Sequence, residues 1–155
     1  MILKGIIDED FINYKKPSMT LMFPYCTFKC GNEYCQNSDL IKQPDIRIDS
    51  YDICRRYLNN DITEAIVLQG MEPLDSWFDL KEFLIALRIH YVCFDDLVIY
   101  TGYNKEEVTD KIDWLSKFPN IVIKYGRYIP DQEKHFDNVL GVYLASDNQY
   151  AERIS

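Results

Sequence analysis

Three cysteines, Cys26, Cys30 and Cys35, lie within ten residues of this chain. Thiols at such short spacing in a reducing environment are typical metal ligands rather than disulfide partners. A structural zinc site normally takes four ligands, and a four-iron cluster held by four cysteines has every iron capped. Three cysteines leave one iron open to an exogenous ligand. The loop is therefore more typical of a catalytic [4Fe–4S] cluster than of a structural metal site.

Two other interpretations of the cysteine loop remain open, a redox dithiol and a zinc site completed by a histidine. His90 and His135, the two histidines of the chain, are remote from the loop and belong to no second short-spaced ligand pair. The other two cysteines, Cys54 and Cys93, stand alone among apolar residues. We expect these two to be small buried side chains without chemical function.

A second polar segment, Gln-Gly-Met-Glu-Pro-Leu, occupies residues 69–74 directly after an apolar run. The carboxylate of Glu72 could accept a hydrogen bond from an ammonium group, and such charge-assisted bonds are about twice as strong as neutral ones. The alternative is an ordinary turn at Gly70, with Pro73 near a helix start and Glu72 as a solvated acid.

Polar residues and glycines also follow two later apolar runs, at residues 100–103 and 124–128. Gly102 and Gly126 would let the backbone approach a ligand closely. Thr101 could hydrogen-bond a ribose or a carboxylate, and Lys124 or Arg127 could meet a carboxylate. The alternative is ordinary turns whose cations extend into solvent. A further segment near the C-terminus, Ser-Asp-Asn-Gln at residues 146–149, is by itself typical of a polar terminal loop.

The elements that must position these residues alternate between strands and helices. Apolar runs predict buried strands, and capping residues between the runs predict helices. The predicted strands are residues 19–25, 65–68, 97–100, 121–124 and 139–144, and the predicted helices begin at Asp49 or Ser50, at Ser76 and at Asn104. This alternation favours an α/β fold of parallel βα units, in which a site forms at the carboxyl ends of the strands.

The whole chain limits the classes of function. Its 155 residues predict a single domain, residues 1–155. A net charge of −8 argues against extensive contact with a nucleic-acid backbone. The sequence has no apolar run long enough to span a membrane and no signal-peptide pattern, so we expect a cytoplasmic protein without membrane contact.

The cysteine loop after a first strand resembles that of the radical S-adenosylmethionine (SAM) superfamily. Tyr34 holds the aromatic place before the third cysteine, although the gap from Cys30 to Cys35 is two residues longer than usual there. The segment at Gly70 and Glu72 is similar to the Gly-Gly-Glu-Pro segment of that superfamily, with Met71 in place of the second glycine. The resemblance implies a partial, open βα barrel, a [4Fe–4S] cluster on the three cysteines, and SAM as cofactor. The implied SAM contacts are Tyr34, Gly70, Met71, Glu72, Thr101, Gly102, Lys124 and Arg127.

Weaker segments narrow the resemblance to the activating proteins of anaerobic (class III) ribonucleotide reductases. It extends from about Asp10 to Arg153 and rests on the order of short motifs. These motifs are Asn-Tyr at 13–14, Cys-Gln-Asn at 35–37, Tyr-Thr-Gly-Tyr at 100–103, Gly-Arg-Tyr at 126–128 and Ser-Asp-Asn-Gln at 146–149.

The activity implied by this resemblance is reductive cleavage of SAM to a 5′-deoxyadenosyl radical, which takes a hydrogen from a glycine of the large reductase subunit. With no second cysteine cluster, the electron is expected from an external flavodoxin or ferredoxin. Two alternatives remain open: activation of another glycyl-radical enzyme or action on a small molecule, and a non-catalytic zinc or iron–sulfur module. The second alternative leaves the Glu72 segment unexplained.

Overall fold

The centre of the fold is a six-stranded, mostly parallel sheet. The computed structural model describes residues 1–27, 31, 35 and 37–155. Four neighbouring strands run parallel in chain order: β3 (Ser18–Phe23), β5 (Ala65–Gly70), β6 (Asp96–Tyr100) and β7 (Ile121–Tyr125). Antiparallel strands close the two edges, β2 (Gly5–Asp10) beside β3 and β10 (Tyr150–Arg153) beside β7. Because these four strands run in the same direction, the loops that follow them all lie at one end of the sheet.

Three α-helices connect the parallel strands: α1 (Ser50–Leu58), α2 (Trp77–Ile85) and α3 (Thr109–Leu115). A turn of π-helix, Ala86–His90, extends α2, and 3₁₀ turns occupy Ser38–Lys42, Pro73–Ser76 and Lys105–Glu107. Asp49 caps α1 as predicted, because its carboxylate accepts the Tyr51 N–H at 2.8 Å. Asn104 caps the 3₁₀ turn ahead of α3 rather than the helix itself.

Side chains that alternate along the central strands divide between two cores. On one face, Leu21, Leu68 and Ile99 pack in a cluster to which all three helices contribute. On the other face, Val67 and Val98 pack against residues from outside the central sheet, namely Tyr14, Leu140 and Leu144. Parallel strands covered on both faces need continuous apolar runs, and this requirement explains why their sequences read as unbroken hydrophobic segments.

The four central strands and the helix capped by Asp49 confirm the sequence predictions, and two further predictions need correction. The predicted strand at 139–144 is confirmed over its second half: β9 (Val142–Leu144) pairs with β8 (His135–Asp137) in a separate antiparallel hairpin rather than in the central sheet. The sixth strand of the central sheet is β10, which follows the segment at 146–149. Ser76 stands at the start of α2, but its hydroxyl makes no capping hydrogen bond.

The remaining short strands, β1 (Ile2–Leu3) and β4 (Ile46–Arg47), pair with each other beside the sheet. A charge cluster around the buried Asp96 joins β6 to the C-terminal edge at the opposite end from the loops. Asp96 there accepts hydrogen bonds from the Tyr14 hydroxyl and the Arg153 guanidinium and pairs with Lys16. Among the described residues, no helix is both long and apolar enough to cross a bilayer.

Candidate functional site

A cavity of about 340 Å³ lies at the carboxyl ends of the parallel strands. Its walls come from the loops that follow β3, β5, β6 and β7, and from the hairpin strand β9. The volume falls at the lower end of the range for small-molecule sites. Its position is the one at which ligands bind in open parallel α/β sheets.

Every described residue among the predicted site residues lines this cavity. They are Cys26, Cys35, Gly70, Met71, Glu72, Thr101, Gly102, Lys124 and Arg127. Cys30 and Tyr34 lie outside the described residues. The structure thus brings together segments that are as much as 101 positions apart in the chain, from Cys26 to Arg127.

Glu72 is a buried acid rather than a solvated one, with 4% of its surface exposed. Its two carboxylate oxygens accept backbone N–H groups, Oε1 from Leu74 at 3.0 Å and Oε2 from Gly102 at 2.8 Å. Burial raises the pKa of Glu72 to about 7, although these hydrogen bonds act in the opposite direction. The Thr101 side chain also hydrogen-bonds this carboxylate, and an ionised carboxylate has about four acceptor positions in all.

Lys124 places a buried amine in the same cavity, with 7% of its surface exposed. Its Nζ donates to the carbonyl of Gly126 at 2.9 Å and lies 5.9 Å from the centre of the Tyr100 ring. Burial lowers the pKa of Lys124 to about 8, and the negative charge of Glu72 opposes that shift. The interpretation of Lys124 as a cation extending into solvent is therefore wrong.

The segment at 146–149 is a tight loop that holds the end of β7, not a free polar terminus. Gln149 accepts the N–H groups of Ala145 and Ser146 with its side-chain oxygen and donates from Nε2 to the Gly126 carbonyl. Gly126 has a φ of +96°, and a Cβ there would lie 3.0 Å from the Asn148 oxygen. The close contact requires glycine at this position.

Sequence reasoning missed several residues of the site. Ile12 and Asn13 enter the cavity wall from the β2–β3 connection, and Gln149 enters from the C-terminal loop. Tyr100 links two of these walls because its hydroxyl donates to the Asn13 carbonyl at 2.6 Å. No local pattern marks such contacts. The signals were two short motifs without a predicted role, Asn-Tyr at 13–14 and Ser-Asp-Asn-Gln at 146–149.

The region around Asn13 is organised by Asp10. Its carboxylate accepts the Thr20 hydroxyl and the Asn13 side-chain amide, each at 2.6 Å. Burial by itself would raise the pKa of Asp10, but these hydrogen bonds outweigh it and hold the pKa below its ordinary value. The loop is therefore fixed by an ionised side chain beside the cavity.

Among the described residues that line the cavity, the thiol groups are those of Cys26 and Cys35. Within the described ranges, no group of three or more histidine, cysteine or acidic side chains could hold a metal ion. The third thiol of the predicted set, Cys30, lies outside those ranges. Cys54 and Cys93 are buried in the helix-covered core, as predicted, and lie apart from the cavity lining.

Comparison with known proteins adds no relative: no family model, no curated protein and no solved structure matches this chain.

Proposed function

We propose that this protein is a radical SAM activating enzyme, which generates a glycyl radical on an anaerobic ribonucleotide reductase. The observation that supports this most is the shared cavity. Two of three closely spaced cysteines and a buried carboxylate, one βα unit apart in the chain, line the same small space at the ends of parallel strands.

The donor set fits an iron–sulfur cluster. Thiolates are the ligands that hold such clusters, and both described cysteines of the loop face the cavity. Cys26, Cys30 and Cys35 would hold three irons of a [4Fe–4S] cluster. When bound, the cluster would deliver one electron to the sulfonium of SAM, whose C5′–S bond breaks to give methionine and a 5′-deoxyadenosyl radical.

The residues of the chain would bind and orient SAM. The Glu72 carboxylate would accept a hydrogen bond from the amino group of the methionine portion, beside backbone groups of Gly70 and Met71. Lys124 would face the carboxylate of SAM, with Arg127 as a second cation in the cavity wall. Thr101 and Gly102 would contact the nucleoside. Burial of Glu72 and Lys124 strengthens each pairing because water competes less there.

The proposed partner is the large catalytic subunit of the reductase. The 5′-deoxyadenosyl radical would abstract a hydrogen atom from one backbone glycine, leaving 5′-deoxyadenosine and a glycyl radical. The sheet would form a partial, open barrel whose unclosed side admits the glycine loop, and the partner would then exclude water from the radical. An external flavodoxin or ferredoxin would supply the electron, in a cytoplasmic, anaerobic setting.

The test is anaerobic reconstitution with iron and sulfide, reduction with dithionite, and addition of SAM. We expect 5′-deoxyadenosine and a reduced-cluster EPR signal that changes when SAM is added. The variants Cys26→Ala, Cys30→Ala and Cys35→Ala should each abolish SAM cleavage because an iron loses its anchor. Cys54→Ala, in the buried core, is the matched control and should retain cleavage.

Other outcomes would favour the alternatives. If the protein binds zinc and forms no 5′-deoxyadenosine, the cysteine loop is a structural zinc site. Normal cleavage in any of the three loop variants would remove the cluster assignment. Cleavage of SAM without radical transfer to the reductase subunit would point to another glycyl-radical enzyme or to a small-molecule substrate.

A further inference from the structure

The start of the cysteine loop is held by a carboxylate from another segment. The backbone N–H of Thr27, the residue after Cys26, donates to Asp75 Oδ2 at 2.8 Å. The Tyr103 hydroxyl donates to the other oxygen, Asp75 Oδ1, at 2.7 Å and lies 3.2 Å from the Thr27 hydroxyl. Asp75 therefore joins the loop after β3 to the loop after β6, directly beside the first cysteine.

The end of the loop is held by an amide. Asn37, two residues after Cys35, donates from Nδ2 to the carbonyl of Gly70 at 2.8 Å. The chain then turns at once, because the Ser38 N–H bonds to the Cys35 carbonyl at 3.3 Å. The hydrogen bond from Asn37 to Gly70 fixes the end of the cysteine loop against the end of β5.

Both hydrogen bonds are made to one short segment, residues 70–75, which also contains Glu72. A third contact from this segment, the Glu72 N–H to the Tyr25 carbonyl at 2.8 Å, holds the residue before Cys26. The positions of two cysteines and of the buried carboxylate are thus set by the same backbone. In a site where a metal and a charged side chain bind the same ligand, the two must be held at fixed positions relative to each other.

We infer that Asp75 and Asn37 are positioning residues that preset the two ends of the cysteine loop, Asp75 for Cys26 and Asn37 for Cys35. The inference refines the site of the proposed function, but the anchoring itself can be measured without any metal. Neither side chain needs to contact a cofactor in order to act, because Asp75 acts through the Thr27 N–H and Asn37 through the Gly70 carbonyl.

The test measures alkylation of each cysteine in the metal-free, full-length protein under anaerobic conditions, with iodoacetamide and peptide mass spectrometry. Asp75→Ala should accelerate alkylation of Cys26 roughly two- to tenfold, the range expected for losing one hydrogen bond, and leave Cys35 unchanged. Asn37→Ala should show the reverse pattern. Cys54 and Cys93, both buried, report any general loosening of the fold.

Two further variants separate anchoring from charge and from general destabilisation. Asp75→Asn keeps a carbonyl oxygen for the Thr27 N–H, so it should restore the wild-type rate at Cys26. Asp79→Ala is the matched control, since Asp79 also accepts one backbone N–H, from Ile2 at 2.9 Å, but outside the loop. It should change neither rate.

Two results would overturn the inference: Cys26 and Cys35 accelerating equally in each variant, or Asp75→Asn reacting as fast as Asp75→Ala. In the iron-loaded protein, Asp75→Ala and Asn37→Ala should lose iron to a chelator faster than Asp79→Ala does. A wild-type protein that takes up no cluster and cleaves no SAM would defeat the proposed function instead. The alkylation pattern would still decide whether the loop is anchored in this way.

Discussion

Glu72 and Lys124 are individually unfavourable for the stability of the empty protein. Burial raises the pKa of Glu72 to about 7 and lowers that of Lys124 to about 8, so each charge is less stable here than in water. A carboxyl whose pKa is higher in the folded than in the unfolded state contributes most to stability at pH values below its unfolded-state pKa. That contribution is lost as pH rises through about 7. Opposed shifts of this kind in one cavity are typical of a binding or catalytic site.

The ionisation of Glu72 should control SAM affinity. The protonated acid cannot pair with an ammonium, so affinity should fall as pH decreases through about 7. Lys124 and the amino group of SAM remain mostly charged in that range. Glu72→Gln should weaken binding by about 1–3 kcal/mol near pH 7.5 and remove the decrease in affinity below pH 7. Equilibrium dialysis of the cluster-loaded protein measures both effects, and an unchanged pH dependence in Glu72→Gln would exclude Glu72 as the titrating group.

At the scale of elements, the sequence predicts those strands and helices whose conformation depends on local residues. The four central strands are apolar on both faces, and their runs could be recognised without knowing their partners. The edge strands β2 and β10 carry the sequences Gly-Ile-Ile-Asp-Glu-Asp and Tyr-Ala-Glu-Arg, in which no such run exists. Their strand conformation depends on pairing with β3 and β7, and a single-sequence pattern does not show that pairing.

The end of β5 is the element on which both β3 and the cysteine loop depend. Gly70 has a φ of +102°, and a Cβ at this position would lie 2.8 Å from the backbone nitrogen of Phe23. Gly70→Ala should therefore lower the free energy of unfolding by about 2–3 kcal/mol through backbone strain and the displacement of β3. Urea denaturation of the metal-free protein measures this change.

Gly5→Ala is the control for that substitution. Gly5 also lies in a strand of the central sheet, but the nearest atoms to a Cβ there belong to the flexible Met22 side chain, with its sulfur at 3.2 Å. We expect a change in unfolding free energy several times smaller than for Gly70→Ala. Equal losses in the two variants would show that the conformation at Gly70 is not what strains the end of β5.

At the scale of the whole molecule, the cavity is a product of topology. The motif at 69–74 and the cysteines could be picked out from sequence because they are local. The contacts of Asn13, Asp75 and Gln149 could not be predicted, because their partners lie 87, 48 and 23 positions away in the chain. Tyr100, for example, reaches back across 87 positions to the Asn13 carbonyl. Parallel strands in sequential order bring these distant segments to one end of the sheet.

A cavity assembled from so many segments should transmit ligand binding to the stability of the whole fold. A ligand that binds only the folded state at a hundred times its dissociation constant adds about 2.7 kcal/mol, or about 5–10 °C in Tm for a chain of this size. We expect SAM to raise the Tm of the cluster-loaded protein by this amount, measured anaerobically by calorimetry. Cys30→Ala, which lacks one cluster ligand, should show a much smaller rise. Equal rises would mean that SAM is held without the cluster, whereas no rise in either protein would count against SAM as the ligand of the cavity.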